Sequence, residues 1–456
     1  MSAREDRTVN PKLIRSYDLR GQVGTDLTEA DAHALGLSYA AALEGTRRVA
    51  VGYDGRLSSP MLEAALVDGL IGGGAIVERI GRGPTGMLYF AVHDRDLDGG
   101  IMITGSHNPP DQNGFKLLLG KEPVFGDKLA ELVGKPGERR ECGSEHAIEI
   151  DRSYVDRLVQ ASGQSRAGTV ASPRIGWDPG NGATGDILCR LIERLPGDHR
   201  IINAALDGTF PAHHPDPSVP ENLEQLQQLV RDDRLDLGIA FDGDGDRIGV
   251  VDAQGDILWP DQLILLLAEN LLRTDPGAPI VADVKSSRVL FDGIAAAGGR
   301  SVMAPSGYVL IREAMLREGA PIAGEMSGHI FYADHWYGTD DALHVAMRLL
   351  DVLARTSLAE FRGRLPHTVA TPELRLPCPD ARKAEVLAAV EAGLADAEID
   401  RTDGLRVTTP DGWWLLRSSG TEPKLTARVE AWNEAGLERM RGDLFARLNA
   451  AGLPIK

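Results

Sequence analysis

From about residue 48, short apolar runs alternate with stretches whose apolar positions recur three and four residues apart. "RVAVGYD" predicts a strand, "SPMLEAALVDGLIGG" a helix, "AIVERIG" a strand, "TGMLYFAVHD" a helix and "GGIMITG" a short buried strand. This βαβ rhythm implies a mostly parallel sheet covered by helices. The text turns polar over residues 134–150, and the rhythm restarts with "RIGWDPGNGATGDILCRLIERL", "NLEQLQQLVRDD" and "LDLGIAFDGDGDRIGVVD". It restarts again with "PIVADVKSS", "GGRSVMAPSG", "VLIREAMLREG" and "APIAGEMSGHIFY". Beyond about Leu365 the pattern changes to paired strands, "LRVTTPDGWWLLRSSGTEP" and "LTARVEAWN", flanked by two helices. The fold class expected is therefore α/β: three consecutive units with mixed, mostly parallel sheets, plus a C-terminal α+β domain. Boundaries are placed at 1–148, 149–254, 255–366 and 367–456.

Chain length supports several domains, because 456 residues exceed what one core organises. A formal net charge of −18 argues against nucleic acid or an anionic lipid surface as the main partner. It leaves open a phosphorylated small molecule in a locally positive pocket. Cys142, Cys189 and Cys378 lie far apart and match neither a disulfide framework nor a zinc spacing. The polar N-terminus "MSAREDRTVNPKLIRSYDLRG" lacks a signal-peptide core, and no apolar run reaches membrane-spanning length. These features lead to the expectation of a cytoplasmic enzyme.

Four loops carry the candidate chemistry. In "ITGSHNPPDQNGFK", Ser106 follows an apolar strand and enters a polar segment in which Gly105, Pro109, Pro110 and Gly114 are expected to prevent regular pairing. Nucleophiles are often mounted this way. In "FDGDGDRIG", Asp242, Asp244 and Asp246 alternate after a strand, with Gly243 and Gly245 permitting a tight turn. Three carboxylates so spaced can converge on one hard cation, and Mg²⁺ suits them because it commonly takes one oxygen from a phosphate. An EF-hand is excluded, since its sixth and twelfth positions would be Arg247 and Ala253. In "AGEMSGHIFY", Glu325, Ser327 and His329 alternate and would share one side of an extended segment, a set able to grip vicinal sugar hydroxyls. In "RSSGTEPKL", Arg417, Ser418, Ser419, Gly420 and Thr421 offer a guanidinium, hydroxyls and backbone N–H groups, an anion nest for phosphate. The "GRGPTG" run over Gly81, Gly83 and Gly86 imitates a dinucleotide fingerprint, but the next strand ends in "MITGSH" without the acid that would hold a ribose.

Taken in order, "TGSHNP", "DGDGDR", "GEMSGH" and "RSSGTEP" resemble the α-D-phosphohexomutase family over the whole chain, and the third motif is most similar to its phosphomannomutase/phosphoglucomutase branch. The resemblance implies four domains around a central cleft, each giving one loop. It implies that Ser106 bears the phosphoryl group and that Asp242, Asp244 and Asp246 hold one Mg²⁺ per chain, with the phosphoserine as a further ligand. Glu325 and Ser327 would bind sugar hydroxyls with His329 nearby, and Arg417, Ser419, Gly420 and Thr421 the distal phosphate. "RSYDLRG" matches a further family element and brings in Tyr17 and Arg20. His107, Asn108, Lys116, Arg247 and Lys285 become polar neighbours of the reacting phosphate, with His107 and Lys116 both candidate bases. The reaction implied converts hexose 1-phosphate to hexose 6-phosphate, of mannose and/or glucose, through a hexose 1,6-bisphosphate that also serves as activator. Competing readings are a phosphoglucosamine mutase, a serine-dependent metal-assisted sugar phosphatase and an inactive phosphosugar-binding regulator. The expected partner is a small phosphosugar, on a monomer or dimer, with no nucleic acid and no membrane. One departure stands out: "APSGYVLIRE" has Tyr308 and Arg312 where the family often has histidine and lysine. With an ordinary pKa near 10, a tyrosine is a poor base at neutral pH.

Overall fold

The computed structural model describes residues 8–140, 143–161, 173–394, 398–419 and 423–454. The chain divides into two compact units, residues 1–263 with 327–359, and residues 264–326 with 360–456. The sheets are mixed and mostly parallel in the α/β parts and antiparallel at the C-terminus.

In the first unit, one sheet runs in the order Leu19–Gln22, Gln112–Leu119, Gly99–Ile103, Arg48–Tyr53, Ile76–Arg82, Ser144–Ala147. The last four strands are parallel and the first two antiparallel. Helices Glu29–Ala42 and Ser59–Gly72 pack on each other, and Leu35, Leu62, Leu66 and Leu70 join Val49, Val51, Ile101 and Phe115 in one core. Gln112–Leu119 corrects an expectation, because Gly114 lies within a regularly paired strand opposite Arg20. A β-carbon at Gly114 would lie 2.0 Å from the Leu19 carbonyl oxygen, so glycine admits the close strand rather than breaking it. A second sheet orders Ile257–Leu258, Ile248–Asp252, Leu237–Phe241, Arg174–Asp178 and Asp198–Ile201. Leu237–Phe241 is buried throughout, as its uninterrupted apolar text requires.

Residues 327–359 complete this unit with the antiparallel pair Ile330–Tyr332 and Thr339–Asp340 and with helix Ala342–Leu353, which packs on helix Asp151–Ala161. Asp341 caps that helix. Its carboxylate accepts from His344 N at 3.1 Å and from Tyr154 Oη at 2.8 Å, and burial pushes its pKa up to about 6. The folded state thus binds a proton more tightly than the unfolded chain. The resulting stability is full below the unfolded value near 3.8 and is lost as pH rises through about 6. Asp341→Asn keeps the cap and removes the buried charge. Urea unfolding should find the variant more stable than the parent by about 2–3 kcal/mol at pH 7 and equal to it near pH 4. A gap that does not change with pH would refute this account.

In the second unit, Pro279–Asp283 pairs in parallel with Arg300–Ala304 and with Ile322–Gly324. The C-terminal sheet is antiparallel, centred on Gly412–Ser418 and Lys424–Ala431. Its "GWWLLRS" strand is apolar at consecutive positions because both faces are covered. Trp414 and Leu416 pack with Val386, Leu444 and Leu448 of helices Asp380–Ala392 and Glu434–Ala450, while Trp413 and Leu415 pack on Val284 and Met303.

Candidate active site

Strand Gly99–Ile103 delivers Thr104, Gly105 and Ser106 to the end of the first sheet. Ser106 has φ 49°, a left-handed conformation that costs any residue with a β-carbon. Several bonds compensate. Ser106 N donates to Thr104 Oγ1 at 2.7 Å and Gly105 N to Asp54 Oδ2 at 3.0 Å. The guanidinium of Arg56, wholly buried, donates to the carbonyl oxygens of Ser106, Asn108, Pro109 and Gln112 at 2.5–2.9 Å. Arg56 Nε lies 3.2 Å from Asp54 Oδ2, which balances its charge. The loop is therefore built around an internal cation. Its product is a single placement for Ser106, 2% exposed, whose Oγ donates to Asp242 Oδ2 at 2.7 Å and lies 3.1 Å from His107 Nδ1.

Asp242, Asp244 and Asp246 are all buried, with one ligand oxygen from each lying within 4.8 Å of the others. The turn closes on itself: Asp242 Oδ1 accepts from the backbone N–H groups of Asp246 at 3.0 Å and Arg247 at 3.2 Å. Lys116 Nζ donates to Asp244 Oδ2 at 2.7 Å and also to Asp246 Oδ2. Burial, together with the charges of Asp246 and Asp244, drives the Asp242 pKa well up. Asp244 is held well down against its burial, chiefly by Lys116. Asp244 Oδ1 and Asp246 Oδ1 are buried and have no hydrogen-bond partner among the described residues. Two orphaned carboxylate oxygens beside a third carboxylate fit a divalent cation, since buried anions need a positive partner.

His107 is pushed well below its usual pKa by burial and by Arg247 and Arg20. Arg20 donates from Nε to Asp18 at 2.9 Å and through a terminal nitrogen to the Gly105 carbonyl. Tyr17 precedes it, half-buried, and the Asn108 amide donates to Gln112 Oε1 at 2.8 Å. Arg247 Nε donates to His329 Nε2 at 3.0 Å. The structure thus gathers Ser106, His107, Lys116, Arg247, His329 and the aspartate triplet within the first unit.

The expected alternation of Glu325, Ser327 and His329 is corrected. Residues 326–328 form a turn in which Gly328 has φ 97° and its carbonyl accepts from Ile248 N at 3.1 Å, so the three side chains do not share an extended face. Glu325 belongs to the second unit, where Oε1 accepts from Gly307 N at 2.6 Å; Ser327 and His329 belong to the first. In the second unit, Arg417 Nε donates to Asp403 Oδ2 at 2.7 Å, and the Ser419 carbonyl accepts from Lys383 Nζ at 2.8 Å. Lys285 Nζ lies 4.0 Å from Asp283 and 3.8 Å from Glu373. Gly420, Thr421 and Cys142 lie outside the described residues. Tyr308 opens helix Tyr308–Glu318, and Arg312 is buried within it.

Sequence reasoning missed four residues that shape these groups. Arg56 and Asp54 form the support of the Ser106 loop, and the signal was a charged pair directly after a strand, in "GYDGR". Thr85 donates from Oγ1 to Asp244 Oδ2 at 2.8 Å and from its backbone N–H to the Asp244 carbonyl at 2.8 Å. It sits in the misleading "GRGPTG" run, whose use is to present the start of helix Thr85–Asp94 to the aspartate loop. Asp403, which also accepts from Ser306 N at 3.1 Å, left no recognisable trace in the text.

Models of the phosphoglucomutase/phosphomannomutase family match consecutively. Alpha/beta/alpha domain I matches residues 11–166, domain II 152–255, domain III 259–369 and the C-terminal domain 373–447. A phosphoglucomutase of Neisseria gonorrhoeae is 40% identical over 95% of this chain and 96% of its own length. A phosphomannomutase/phosphoglucomutase of Pseudomonas aeruginosa is 38% identical over 100% of both chains. The crystal structure of a phosphoglucomutase/phosphomannomutase family protein from Burkholderia thailandensis, 37% identical, superposes with a TM-score of 0.90 over 97% of this chain and 98% of that one. Among the described residues no helix is long and apolar enough to cross a membrane.

Proposed function

This chain belongs to the phosphoglucomutase/phosphomannomutase family, and from that premise we propose that it interconverts hexose 1-phosphates and hexose 6-phosphates of mannose and/or glucose through a phosphorylated Ser106. The observation that carries this reading is the contact between Ser106 Oγ and Asp242, one of three converging buried carboxylates. Asp242, Asp244 and Asp246 would hold Mg²⁺, which when bound supplies positive charge to the phosphoryl oxygens.

In the first step the phosphoryl group leaves Ser106 Oγ for the free hydroxyl of a hexose 1-phosphate. The hydroxyl loses its proton, Ser106 Oγ gains one, and a hexose 1,6-bisphosphate results. That intermediate turns end for end, and its other phosphoryl group returns to Ser106. Transfer of this kind asks chiefly for alignment and for cations around the moving group. The Ser106 loop supplies the first; Lys116 and Arg247 supply the second. Lys116 Nζ donates to Asp244 and Asp246, whose negative charge favours an ammonium there over the free amine a base would need. His107, kept neutral by burial and by neighbouring cations, is a group at Ser106 Oγ able to carry a proton. By family resemblance Glu325 and Ser327 bind the sugar hydroxyls with His329 near them, Tyr17 and Arg20 belong to the substrate site, and Lys285 neighbours the reacting phosphate. Arg417, Ser419, Gly420 and Thr421 bind the phosphate that does not react. The domain boundaries at 148, 254 and 366 and a cytoplasmic location belong to the same reading.

The test is a coupled assay on mannose 1-phosphate, glucose 1-phosphate and glucosamine 1-phosphate with Mg²⁺, with and without trace hexose 1,6-bisphosphate. Formation of the 6-phosphate of mannose or glucose, stimulated by the bisphosphate, is expected. Preference for the glucosamine ester would transfer the specificity to the amino sugar, and release of inorganic phosphate without isomerisation would overturn the mutase reading in favour of a phosphatase.

A further inference from the structure

A polar cluster outside the reacting groups packs against the aspartate turn. Strand Arg174–Asp178 ends in Asp178, whose side chain is wholly buried. Its Oδ1 accepts from Gly180 N at 2.9 Å and from the Asn203 amide at 3.0 Å. Its Oδ2 lies 2.9 Å from His213 Nε2, while His213 Nδ1 lies 3.0 Å from the His214 carbonyl oxygen. An ionised carboxylate and a carbonyl can only accept. Both contacts are hydrogen bonds together only when each ring nitrogen carries a proton, so His213 stands here as an imidazolium. Burial opposes that charge, but Asp178 and the His214 carbonyl outweigh it and hold the His213 pKa above its usual value. Asp178, from the neighbouring strand, is the charged group that acts on the ring.

The segment that His213 opens, "HHPDP", meets the aspartate turn twice. The Pro215 carbonyl accepts from Gly243 N at 3.2 Å, and Asp216 Oδ1 stands 3.9 Å from a terminal nitrogen of Arg247. From the other loop that Asp178 holds, Ala183 N donates to the Gly243 carbonyl at 2.9 Å. Both backbone groups of Gly243 are therefore bonded to segments gathered around Asp178. On a further side Gly243 presses against Ser106, where a β-carbon would lie 2.3 Å from the Ser106 carbonyl oxygen. Gly243 stands between Asp242 and Asp244, so its placement constrains theirs. We infer that His213 is a positioning residue, which bridges Asp178 and the His214 carbonyl, fixes the Pro215 carbonyl and through Gly243 holds the aspartate turn in shape for a divalent cation. The ring reaches its two acceptors with donors on separate nitrogens, a span that the single amide nitrogen of glutamine lacks. The inference rests on the reading that Asp242, Asp244 and Asp246 hold Mg²⁺, and its test separates the two.

His213→Gln and His213→Ala, made in the full chain, are compared with the parent by calorimetric titration with Mg²⁺ alone and by hydrogen exchange of the metal-free protein. Both variants should bind Mg²⁺ about tenfold more weakly near neutral pH. The parent's advantage over His213→Gln should be full at about pH 6.5 and shrink by about pH 9, because a neutral ring keeps one of the two bonds. Peptides that contain Gly243 should exchange about tenfold faster in both variants, since the acceptor of its N–H is no longer pinned. A purely structural role gives a different pattern, a lowered urea midpoint with parental Mg²⁺ affinity. That pattern, an advantage that does not change with pH, or unchanged exchange at Gly243 would each overturn the proposal. Should His213→Ala fail to fold, His213→Gln and its comparison with the parent across pH decide the matter. If the parent binds no Mg²⁺, the metal reading fails by itself, and the exchange rates still test His213.

Discussion

Ser106→Ala is expected to lower conversion of hexose 1-phosphate to hexose 6-phosphate by on the order of 10³-fold or more, because the proposed reaction passes the phosphoryl unit through Ser106 Oγ. Intact-mass analysis should find a phosphoryl group on the parent protein after incubation with bisphosphate and none on the variant. Ser106 is held at φ 49°, where a residue with a β-carbon carries about 1–2 kcal/mol of strain. Ser106→Gly relieves that strain and should unfold no more easily than the parent, yet should be equally inactive. The pair separates chemistry from backbone conformation. Substantial turnover in either variant, beyond a few per cent of the parent, would refute the phosphoserine assignment.

Arg56→Met should be the most damaging substitution outside the reacting groups. The methionine fills similar volume but leaves the Ser106, Asn108, Pro109 and Gln112 carbonyls without their shared donor and strips Asp54 of its cation. Breaking a buried ion pair from one side costs about 3–5 kcal/mol. Chemical denaturation should show a loss of that size, and kcat should fall severely even where the variant is folded, since Ser106 would no longer be confined to one position. Arg56→Lys should rescue little, because a single ammonium cannot span four carbonyls arranged around a planar fork. Parental stability in Arg56→Met would show that the loop is held by something other than this cation.

The distinction between what the text announced and what it concealed follows from range. The strands and helices of the α/β parts are announced by local periodicity, and the switch to paired strands near Leu365 by a change in that periodicity. The aspartate triplet was legible because its spacing is itself the geometry. Its supports were not, because Thr85 and Lys116 reach Asp244 across 159 and 128 positions of sequence, and nothing local marks such a meeting. Gly114 misled because a glycine in a strand and a glycine in a turn look alike until the neighbouring chain shows which is needed. The third loop misled for the opposite reason, since an alternating text at Glu325, Ser327 and His329 is bent by one positive-φ glycine.

The first unit is discontinuous, made of residues 1–263 and 327–359, and this has a consequence for its biosynthesis. Gly245 receives a hydrogen bond from Ala342 N, and His329 and Asp340 arrive only with the later segment. A ribosome that has released residues 1–263 has delivered the three aspartates together with Ser106, Thr85 and Lys116, which bond to them, but not the contacts made by residues 327–359. For the time needed to translate some sixty further residues, roughly seconds at ordinary elongation rates, the nascent chain carries the aspartate loop without the backbone bond from Ala342 to Gly245. A polypeptide cut short before residue 327 would retain the triplet with Ser106, Thr85 and Lys116 but lose the bond from Ala342 that reaches Gly245.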